Sequence, residues 1–364
     1  MITSDVLIVG GGPSGSSCAK ALVDRGFRVT VLDKAEFPRD KLCAGWVTPP
    51  VLNALGVDPA EYGRDHVIAG ITGFRTGIMG ESPVGTQYDE IVSYGVRRCE
   101  FDTWLLEHCG ADVVQHHHVK RIERRSHGWV IDDEYSAPLV VGAAGYSCPV
   151  VRAIDAKSPG GELAVAAKEV EFEMTGPQKR ETAVESGTPE LFFCEDLKGY
   201  GWCFRKGDYL NVGIGREDKN GLGNHLTAFV DFLEQGGRVG KGLPRKFPGH
   251  AYLIYGHTPR KLVDDRALLI GDAAGLAYPR SGEGIRPAVE SGLLAARVIT
   301  DAAEDYSRDT LAAYEEAIEN RFGKRKQPVE VLPDSLTVMA AHLLMKTQWF
   351  TRQFMLDRWF LHRD

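Results

Sequence analysis

A glycine-rich turn between an apolar strand and a helix is the feature that most constrains this chain. The continuous apolar run Val6–Val9 is typical of a strand buried on both faces of a parallel sheet. The turn that follows reads GGGPSG over residues 10–15, and the pattern after it predicts a helix over 16–25 and a second strand over 28–32. The order strand, turn, helix, strand predicts a Rossmann-like βαβ unit.

The spaced glycines of this turn each have a physical role in holding phosphate. Gly10 permits the tight turn, Gly12 lets the backbone approach a pyrophosphate, and Gly15 brings the helix close to the strand. The free N–H groups and positive dipole end of the helix would face the phosphates. Asp33 ends the second strand, about 20 residues further on, where a carboxylate would bind an adenosine ribose without a 2′-phosphate. These residues predict a dinucleotide site and leave NAD and FAD open.

A second glycine-rich region favours FAD. Residues 268–275 read LLIGDAAG and residues 279–285 read PRSGEGI. A strand would deliver Asp272 to a turn, where its carboxylate could bond a ribityl or phosphate-side hydroxyl. Gly282 and Gly284 would let backbone N–H groups at a helix start face the edge of a flavin, which gains negative charge at N1 and C2=O on reduction.

The composition excludes several classes of protein. Of 364 residues, 43 % are hydrophobic and 26 % are charged, as in ordinary globular chains, and a net charge of −7 predicts no nucleic-acid partner. Seven single cysteines without a CxxC pair argue against a disulfide framework or a zinc site. The three histidines at 116–118 are interpreted as a partly exposed strand, so no metal site is predicted. Without a signal peptide or a membrane-spanning stretch, we expect a cytoplasmic protein.

The fold class predicted is α/β, or α+β overall. It combines a Rossmann-like FAD-binding domain, a discontinuous antiparallel-sheet substrate domain and a helical C-terminus. The expected FAD-binding domain comprises residues 1–55, 96–150 and 251–305, the substrate domain residues 56–95 and 151–250, and the helical segment residues 306–364, interrupted near Pro328 and Pro333.

Five motifs together carry a resemblance to a known family. They are GGGPSG at 10–15, KLCAG at 41–45, Arg98 with Phe101 and Asp102, the alternating Tyr200, Trp202 and Phe204, and GDAAG with PRSGEGI. With them the chain resembles the geranylgeranyl reductase family of FAD-dependent oxidoreductases, within the aromatic-hydroxylase-like flavoprotein superfamily. Ala44 stands where relatives often carry glycine, and residues 142–145 read GAAG where GADG is usual.

The resemblance implies reduction of carbon–carbon double bonds in a prenyl or other isoprenoid lipid, by hydride transfer from N5 of reduced flavin. The catalytic residues that it implies are Cys43, Tyr200 and Trp202. Cys43 would lie beside the isoalloxazine and position substrate or relay a proton. The alternative interpretation of Cys43 is a small buried thiol without such a role. Tyr200 and Trp202 would line the flavin or an apolar tunnel. The alternative interpretation is that they form the core face of a sheet. The predicted cofactor-binding residues are Gly10, Gly12, Pro13, Ser14, Gly15, Asp33, Lys34, Lys41, Cys43, Ala44, Gly45, Arg98, Val119, Gly271, Asp272, Gly282, Gly284 and Ile285.

Two alternative functions stay open at this point. A flavin monooxygenase of an aromatic or lipid-like compound shares the same motifs, and so does a flavin-binding protein without turnover. The electron donor is either NAD(P)H or a small redox protein, because a second GxGxxG in a βαβ setting is missing. The basic, apolar stretch 336–361 is interpreted as a cap on the core or a dimer face, and peripheral contact with a membrane is the alternative.

Overall fold

The computed structural model describes residues 1–157, 161–218, 221–244, 246–257, 260–325 and 334–363, with residues 334–337 described by backbone alone. The interruptions predicted near Pro328 and Pro333 lie outside these residues. The strands are β1 (Ile2–Thr3), β2 (Val6–Val9), β3 (Val29–Leu32), β4 (Trp46–Val47), β5 (Ile68–Ile71), β6 (Gly73–Ile78), β7 (Val84–Gln87), β8 (Ser93–Val96), β9 (Asp112–Val114), β10 (Ile122–Arg125), β11 (Gly128–Ile131), β12 (Tyr135–Ala137), β13 (Leu139–Gly142), β14 (Ala164–Glu173), β15 (Glu190–Phe193), β16 (Gly199–Lys206), β17 (Tyr209–Arg216), β18 (Gly249–Leu253), β19 (Val263–Asp264) and β20 (Ala267–Leu269). The helices are α1 (Pro13–Val23), α2 (Pro49–Leu55), α3 (Pro59–Tyr62), α4 (Arg98–Glu107), α5 (Pro149–Ala153), α6 (Gly176–Glu181), α7 (Leu222–Gln235), α8 (Ile285–Asp301), α9 (Arg308–Leu311), α10 (Ala313–Phe322), α11 (Asp334–Leu344) and α12 (Gln348–Phe350), with a 3₁₀ turn at Gly271–Ala273 and a π-helix at Thr351–Phe360.

A mainly parallel sheet forms the nucleotide-binding part, in the strand order β19-β20-β13-β2-β3-β9. Its central strands β2, β3 and β13 are buried along their whole length. Such strands need cover on both faces, which the continuous apolar runs in the sequence predicted. Helix α1 begins earlier than expected, at Pro13, because proline at the first helical position has its φ already set and needs no N–H partner. The predicted Rossmann-like fold is confirmed.

A seven-stranded sheet lies beyond it in the order β18-β14-β17-β16-β15-β6-β7. Strands β14, β16 and β17 pair antiparallel over long registers, in agreement with the alternating sequence at 168–172 and 209–214. Helix α7 packs its apolar face on one side of this sheet, where Phe229 meets Phe192. The opposite side faces the nucleotide-binding part and carries the aromatic residues of β16.

Two glycines allow helices α1 and α8 to pack closely. A Cβ on Gly292 would lie 2.5 Å from the Ser14 carbonyl oxygen, and a Cβ on Gly271 would lie 2.7 Å from Ser14 Oγ. The Ser291 hydroxyl accepts a hydrogen bond from Gly271 N at 3.0 Å. This contact places the two glycine-rich segments of the sequence side by side, although about 250 residues separate them.

The histidines at 116–118 form a bend after β9, so the prediction of a strand there is wrong. His116 has a left-handed backbone with φ of 57°. The side chain of His117 contacts Asp132 Oδ2 at 2.9 Å, and Asp132 also accepts hydrogen bonds from Lys120 N and Arg121 N. A local polar network therefore replaces the sheet pairing that alternation suggested.

The C-terminal stretch covers the aromatic side of the large sheet. Met355, Leu356 and Phe360 are buried there, and Phe360 stacks on Trp46 with ring centroids 5.4 Å apart. Within the described part of the chain, no helix combines the length and apolar character needed to cross a bilayer.

Candidate functional site

One cavity of about 670 Å³ extends from the glycine-rich turn before α1 to the aromatic face of the large sheet. Its polar end is formed by the turn, the end of β3 and the irregular segment 117–119. Its other end is formed by β14, β16, β18 and the turn before α8. A ligand that fills it must therefore be long, with one polar end and one apolar end.

The turn before α1 is shaped for close approach of phosphate. A Cβ on Gly15 would lie 1.9 Å from Gly10 O, and Gly10 has φ of +114°, so side chains are excluded at both positions. Gly12 precedes the helix and supplies no side-chain cap, which leaves the first N–H groups of α1 available to a ligand. This is the geometry that a pyrophosphate requires.

Asp33 lies at the polar end of the cavity. Its carboxylate accepts hydrogen bonds from Gly11 N at 2.7 Å and from Ala35 N at 2.8 Å. These two bonds fix the side chain at the end of β3, beside Val119 in the cavity wall. The carboxylate retains lone pairs for a ribose hydroxyl.

A buried ion pair supports the middle of the cavity. Arg98, only 6 % exposed, donates from Nε and Nη2 to the two oxygens of Asp102 at 2.7 and 2.8 Å. Arg39 approaches the same carboxylate at 3.2 Å. Burial disfavours the charge of Arg98, but the Asp102 carboxylate outweighs it and raises the pKa of Arg98 above its ordinary value. Arg98 therefore keeps its positive charge in the wall, balanced by Asp102 behind it.

The loop at 41–45 is held by main-chain contacts on both sides. Cys43 N donates to Glu169 Oε1, and Cys43 O accepts from Asn211 Nδ2 at 3.2 Å. Gly45 has φ of +67°, and a Cβ there would lie 2.0 Å from Val96 O. Cys43 is therefore fixed in the cavity wall by residues of two other segments.

Aromatic side chains line the apolar end of the cavity. Tyr200 and Trp202 both reach it from β16, with Trp46 and Phe360 beside them. The Trp202 Nε1–H donates to Asn211 Oδ1 at 2.7 Å, so its buried polar group is satisfied. The third aromatic residue of β16, Phe204, packs instead against Gly95, where a Cβ would lie 2.2 Å from its ring.

The turn before α8 closes the same end. Tyr200 Oη donates to Ser281 O, and Gly282, with φ of +67°, lies where a Cβ would meet Tyr252 Oη at 2.4 Å. Helix α8 begins at Ile285, and Gly284 before it supplies no side-chain cap, although Glu283 accepts the N–H of Arg286. The start of this helix lies beside the apolar end, where a flavin edge was predicted.

Burial raises the pKa of Glu283, in this turn, to about 7. Its Oε1 accepts a hydrogen bond from Arg286 N at 2.7 Å.

Most of the predicted site residues line this one cavity: Gly10, Gly12, Pro13, Ser14, Asp33, Lys34, Lys41, Cys43, Ala44, Arg98, Val119, Tyr200, Trp202, Asp272, Gly282, Gly284 and Ile285. Three glycines, at 15, 45 and 271, lie behind the wall, where they shape the turns. Residues of the wall that the sequence did not predict include Arg39, Trp46, Glu169, Leu191, His250, Tyr252 and Phe360. The alternation along β14 was a signal for Glu169, since Ala167 and Glu169 share a face.

The cavity fits FAD. The glycine turn could accept a diphosphate, Asp33 lies where the adenosine ribose would be bound, and the start of α8 lies at the end where the ring would be. The described residues contain no group of three or more His, Cys, Asp or Glu side chains that could hold a metal ion.

This fold and this site define an FAD-dependent oxidoreductase built on a Rossmann-like domain. The family profile "NAD(P)-binding Rossmann-like domain" matches residues 8–39. Among solved structures, a geranylgeranyl bacteriochlorophyll reductase-like protein from Thermoplasma acidophilum aligns with a TM-score of 0.77 and 22 % identity, covering 98 % of both chains. A point mutant of the halogenase PltM in complex with FAD aligns with a TM-score of 0.70 and 16 % identity, covering 94 % of this chain and 77 % of that chain.

Curated relatives carry the comparison further. The digeranylgeranylglycerophospholipid reductase 3 of Methanosphaera stadtmanae is 28 % identical over 359 residues, covering 91 % of this chain and 86 % of the relative. The digeranylgeranylglycerophospholipid reductase of Methanocaldococcus jannaschii is also 28 % identical, covering 85 % and 81 %. The predicted resemblance to the geranylgeranyl reductase family is confirmed, as are the predictions of an FAD cofactor and of an oxidoreductase.

Proposed function

We propose that this protein reduces carbon–carbon double bonds in the prenyl chains of a polar lipid. The observation that carries the proposal is that one cavity joins a phosphate-binding end to an aromatic, apolar end. An isolated alkene offers almost no polarity to protein groups, so an apolar wall is the surface that it requires. The relatives named digeranylgeranylglycerophospholipid reductase support geranylgeranyl chains on a glycerophospholipid as the substrate class.

Bound FAD, once reduced, supplies the hydride for this reaction at N5. The protein residues orient and enclose the reactants. Tyr200 and Trp202 wall the apolar end, and Asn211 holds both the Trp202 indole and the backbone of Cys43. The thiol of Cys43 forms part of the wall of the cavity. The backbone of Cys43 is held there by hydrogen bonds on both sides. Phe360 covers the outer side and keeps water from the apolar end.

The direct test uses the purified protein loaded with FAD. After anaerobic reduction by dithionite, it receives a digeranylgeranylglycerophospholipid, and mass spectrometry follows the lipid. We expect two added hydrogens for each double bond reduced, together with return of the oxidised flavin spectrum. An unchanged lipid mass across several prenyl chain lengths would refute the proposal.

A matched pair of variants localises the substrate site. Leu191 is 2 % exposed and lines the apolar end, whereas Ile91 is 46 % exposed and lies outside the cavity. Leu191→Gln places an unpartnered amide against the alkene, so turnover should fall about 10- to 100-fold while FAD stays bound. Ile91→Gln should preserve both properties. Equal effects of the two changes would contradict an apolar substrate end here.

The same assay in the presence of oxygen tests the monooxygenase alternative. Substrate-stimulated consumption of NAD(P)H with a product that gains oxygen would select a monooxygenase. Comparing NADH, NADPH and a reduced ferredoxin-type protein as donors identifies the electron source, and we expect one of these to replace dithionite.

We also propose that the C-terminal helices contact the membrane that holds the lipid. Met339, Leu343 and Trp349 are between 57 and 64 % exposed, and Arg352 and Arg358 lie exposed nearby in the chain. Apolar side chains with flanking cations are typical of a helix at a bilayer surface. Leu343→Glu should weaken flotation with anionic vesicles while leaving FAD binding intact, and unchanged flotation would refute this contact.

A further inference from the structure

Glu169 is a buried carboxylic acid in the wall of the cavity. It is only 2 % exposed and shares with Ala167 the face of β14 that lines the cavity. Its Oε1 accepts the hydrogen bond from Cys43 N. Its Oε2 is buried and has no hydrogen-bond partner within the described chain. A buried polar atom without a partner calls for an explanation, and this one belongs to a side chain that lines the cavity.

The charges around Glu169 leave it near the balance between its two forms. Burial raises the pKa of Glu169 to about 7, and the negative charge of Glu171 on the same strand acts in the same direction. The Cys43 N–H, Lys206 on β16 and Arg98 on α4 lower that pKa and oppose the effect. At neutral pH a substantial fraction of the protein therefore has a protonated carboxyl group here.

Two other titratable groups of the wall are less suited to donate a proton. Burial, with the positive charges of Lys41 and Arg98, lowers the pKa of His250 on β18 to about 3, so this imidazole is neutral at pH 7. Glu283 is the competing acid: it also has a pKa of about 7, accepts one N–H through Oε1 and has a buried Oε2 without a partner in the described chain, but it is more exposed than Glu169.

We propose that Glu169 is the proton donor for alkene reduction, a role that rests on the function proposed above. One carbon of the alkene would receive a hydride from the reduced flavin. The flavin would thereby be oxidised by two electrons. The π electron pair forms the second C–H bond with the proton of the Glu169 carboxyl group as its O–H bond breaks. The carboxylate then regains a proton from solvent, so atoms and electrons balance.

The hydrogen bond from Cys43 N to Glu169 Oε1 determines which oxygen of the Glu169 carboxyl group carries the proton. It leaves Oε2 as the oxygen that carries the proton, because Oε1 already accepts an N–H. The same contact ties the acid to the loop at 41–45, whose Cys43 lines the same cavity.

Glu169→Gln tests the role, because the amide keeps an acceptor for Cys43 N and loses the acidic proton. We expect a 100- to 1000-fold slower single-turnover reduction of the lipid, within the range typical of general acid catalysis. Glu173→Gln is the matched control on the same strand, since Glu173 is exposed and outside the cavity. It should keep the wild-type rate. The assignment would be overturned if Glu169→Gln kept full activity. It would also be overturned if only Glu283→Gln lost the single-turnover rate.

An infrared titration gives a readout without substrate. Difference spectra of the FAD-loaded protein between pH 5 and 9 should show the C=O band of a protonated carboxyl group lost with a midpoint near pH 7. Glu283 contributes a second such band, so the Glu169→Gln spectra should lose part of the wild-type signal, whereas the Glu173→Gln spectra should keep all of it. If no lipid is reduced by wild-type protein, the proposed function fails while this titration still reports on the acid.

The pH profile of the Glu283→Gln variant decides the matter if Glu169→Gln does not bind FAD, because a wild-type profile could report either acid. The donor is active when protonated, so the single-turnover rate should fall about tenfold per pH unit above pH 7. A flat profile between pH 6 and 9 would refute proton donation by Glu169.

Discussion

Neutralising Asp102 should destabilise the protein far more than neutralising an equivalent carboxylate at the surface. The Arg98–Asp102 pair on α4 has i,i+4 spacing, and its side chains are 7 % and 0 % exposed. The Lys20–Asp24 pair on α1 has the same spacing, with side chains 52 % and 55 % exposed. Asp102→Asn and Asp24→Asn therefore make the same chemical change at two levels of burial.

The magnitudes follow from what each change leaves behind. Asp102→Asn leaves the buried Arg98 guanidinium without its counter-charge, which typically costs about 3 to 5 kcal/mol. Arg39, at 3.2 Å from the same carboxylate, also loses its partner. Asp24→Asn removes an exposed pair, whose contribution is about 0.2 to 1 kcal/mol. Water replaces the lost interaction there, whereas Arg98, 6 % exposed, has little contact with water.

Urea unfolding of the two variants at pH 7 measures the difference. Each is compared with wild type, with and without saturating FAD, so that cofactor linkage can be separated from the stability of the protein alone. We expect the free energies of unfolding of the variants to differ by at least about 2 kcal/mol in both series. A difference below about 1 kcal/mol would mean that water or another anion compensates Arg98, and would refute the reasoning.

Two further changes test the geometry of the cavity. Gly15→Ala should abolish FAD binding in a flavin fluorescence titration, because its Cβ would lie 1.9 Å from Gly10 O. The control Gly85→Ala, whose Cβ would have nothing within 4 Å, should bind FAD as wild type does. Tight binding of FAD by Gly15→Ala would contradict the close turn. Asn211→Leu leaves the Trp202 indole N–H buried without an acceptor, so it should lower the free energy of unfolding by about 1 to 3 kcal/mol in urea; an unchanged midpoint would show that the bond contributes nothing.

The nucleotide-binding part was predictable from sequence because its signals are local. The buried strands of the parallel sheet are continuous apolar runs, and the turn before α1 depends on the backbone freedom of Gly10 and Gly15. Asp33 follows its strand directly, so its place at the polar end was fixed by chain order. Each of these features is determined by residues within a few positions of one another.

The apolar end was less accessible to sequence reasoning because topology assembles it. Alternation showed that Tyr200, Trp202 and Phe204 share one face of β16, but Phe204 packs on Gly95, which another sheet contributes. Phe360 reaches the cavity from the C-terminal π-helix. Glu169 lies in an alternating strand, where a carboxylate is usually exposed to solvent. Only the pairing of distant segments decides which of these residues meet.

The loop at 41–45 explains how the two ends of the cavity become one site. Its backbone is bound by Glu169 and Asn211 of the large sheet, while Gly45 packs on the main chain of Val96, next to the start of α4. Because Arg98 lies on the first turn of that helix, the fixed positive charge and the Cys43 loop are positioned by the same contacts. A change in either sheet that shifts this loop would therefore move the thiol and the acid together. The distance between Cys43 and Glu169 should therefore vary less than the distance of either residue from the aromatic wall.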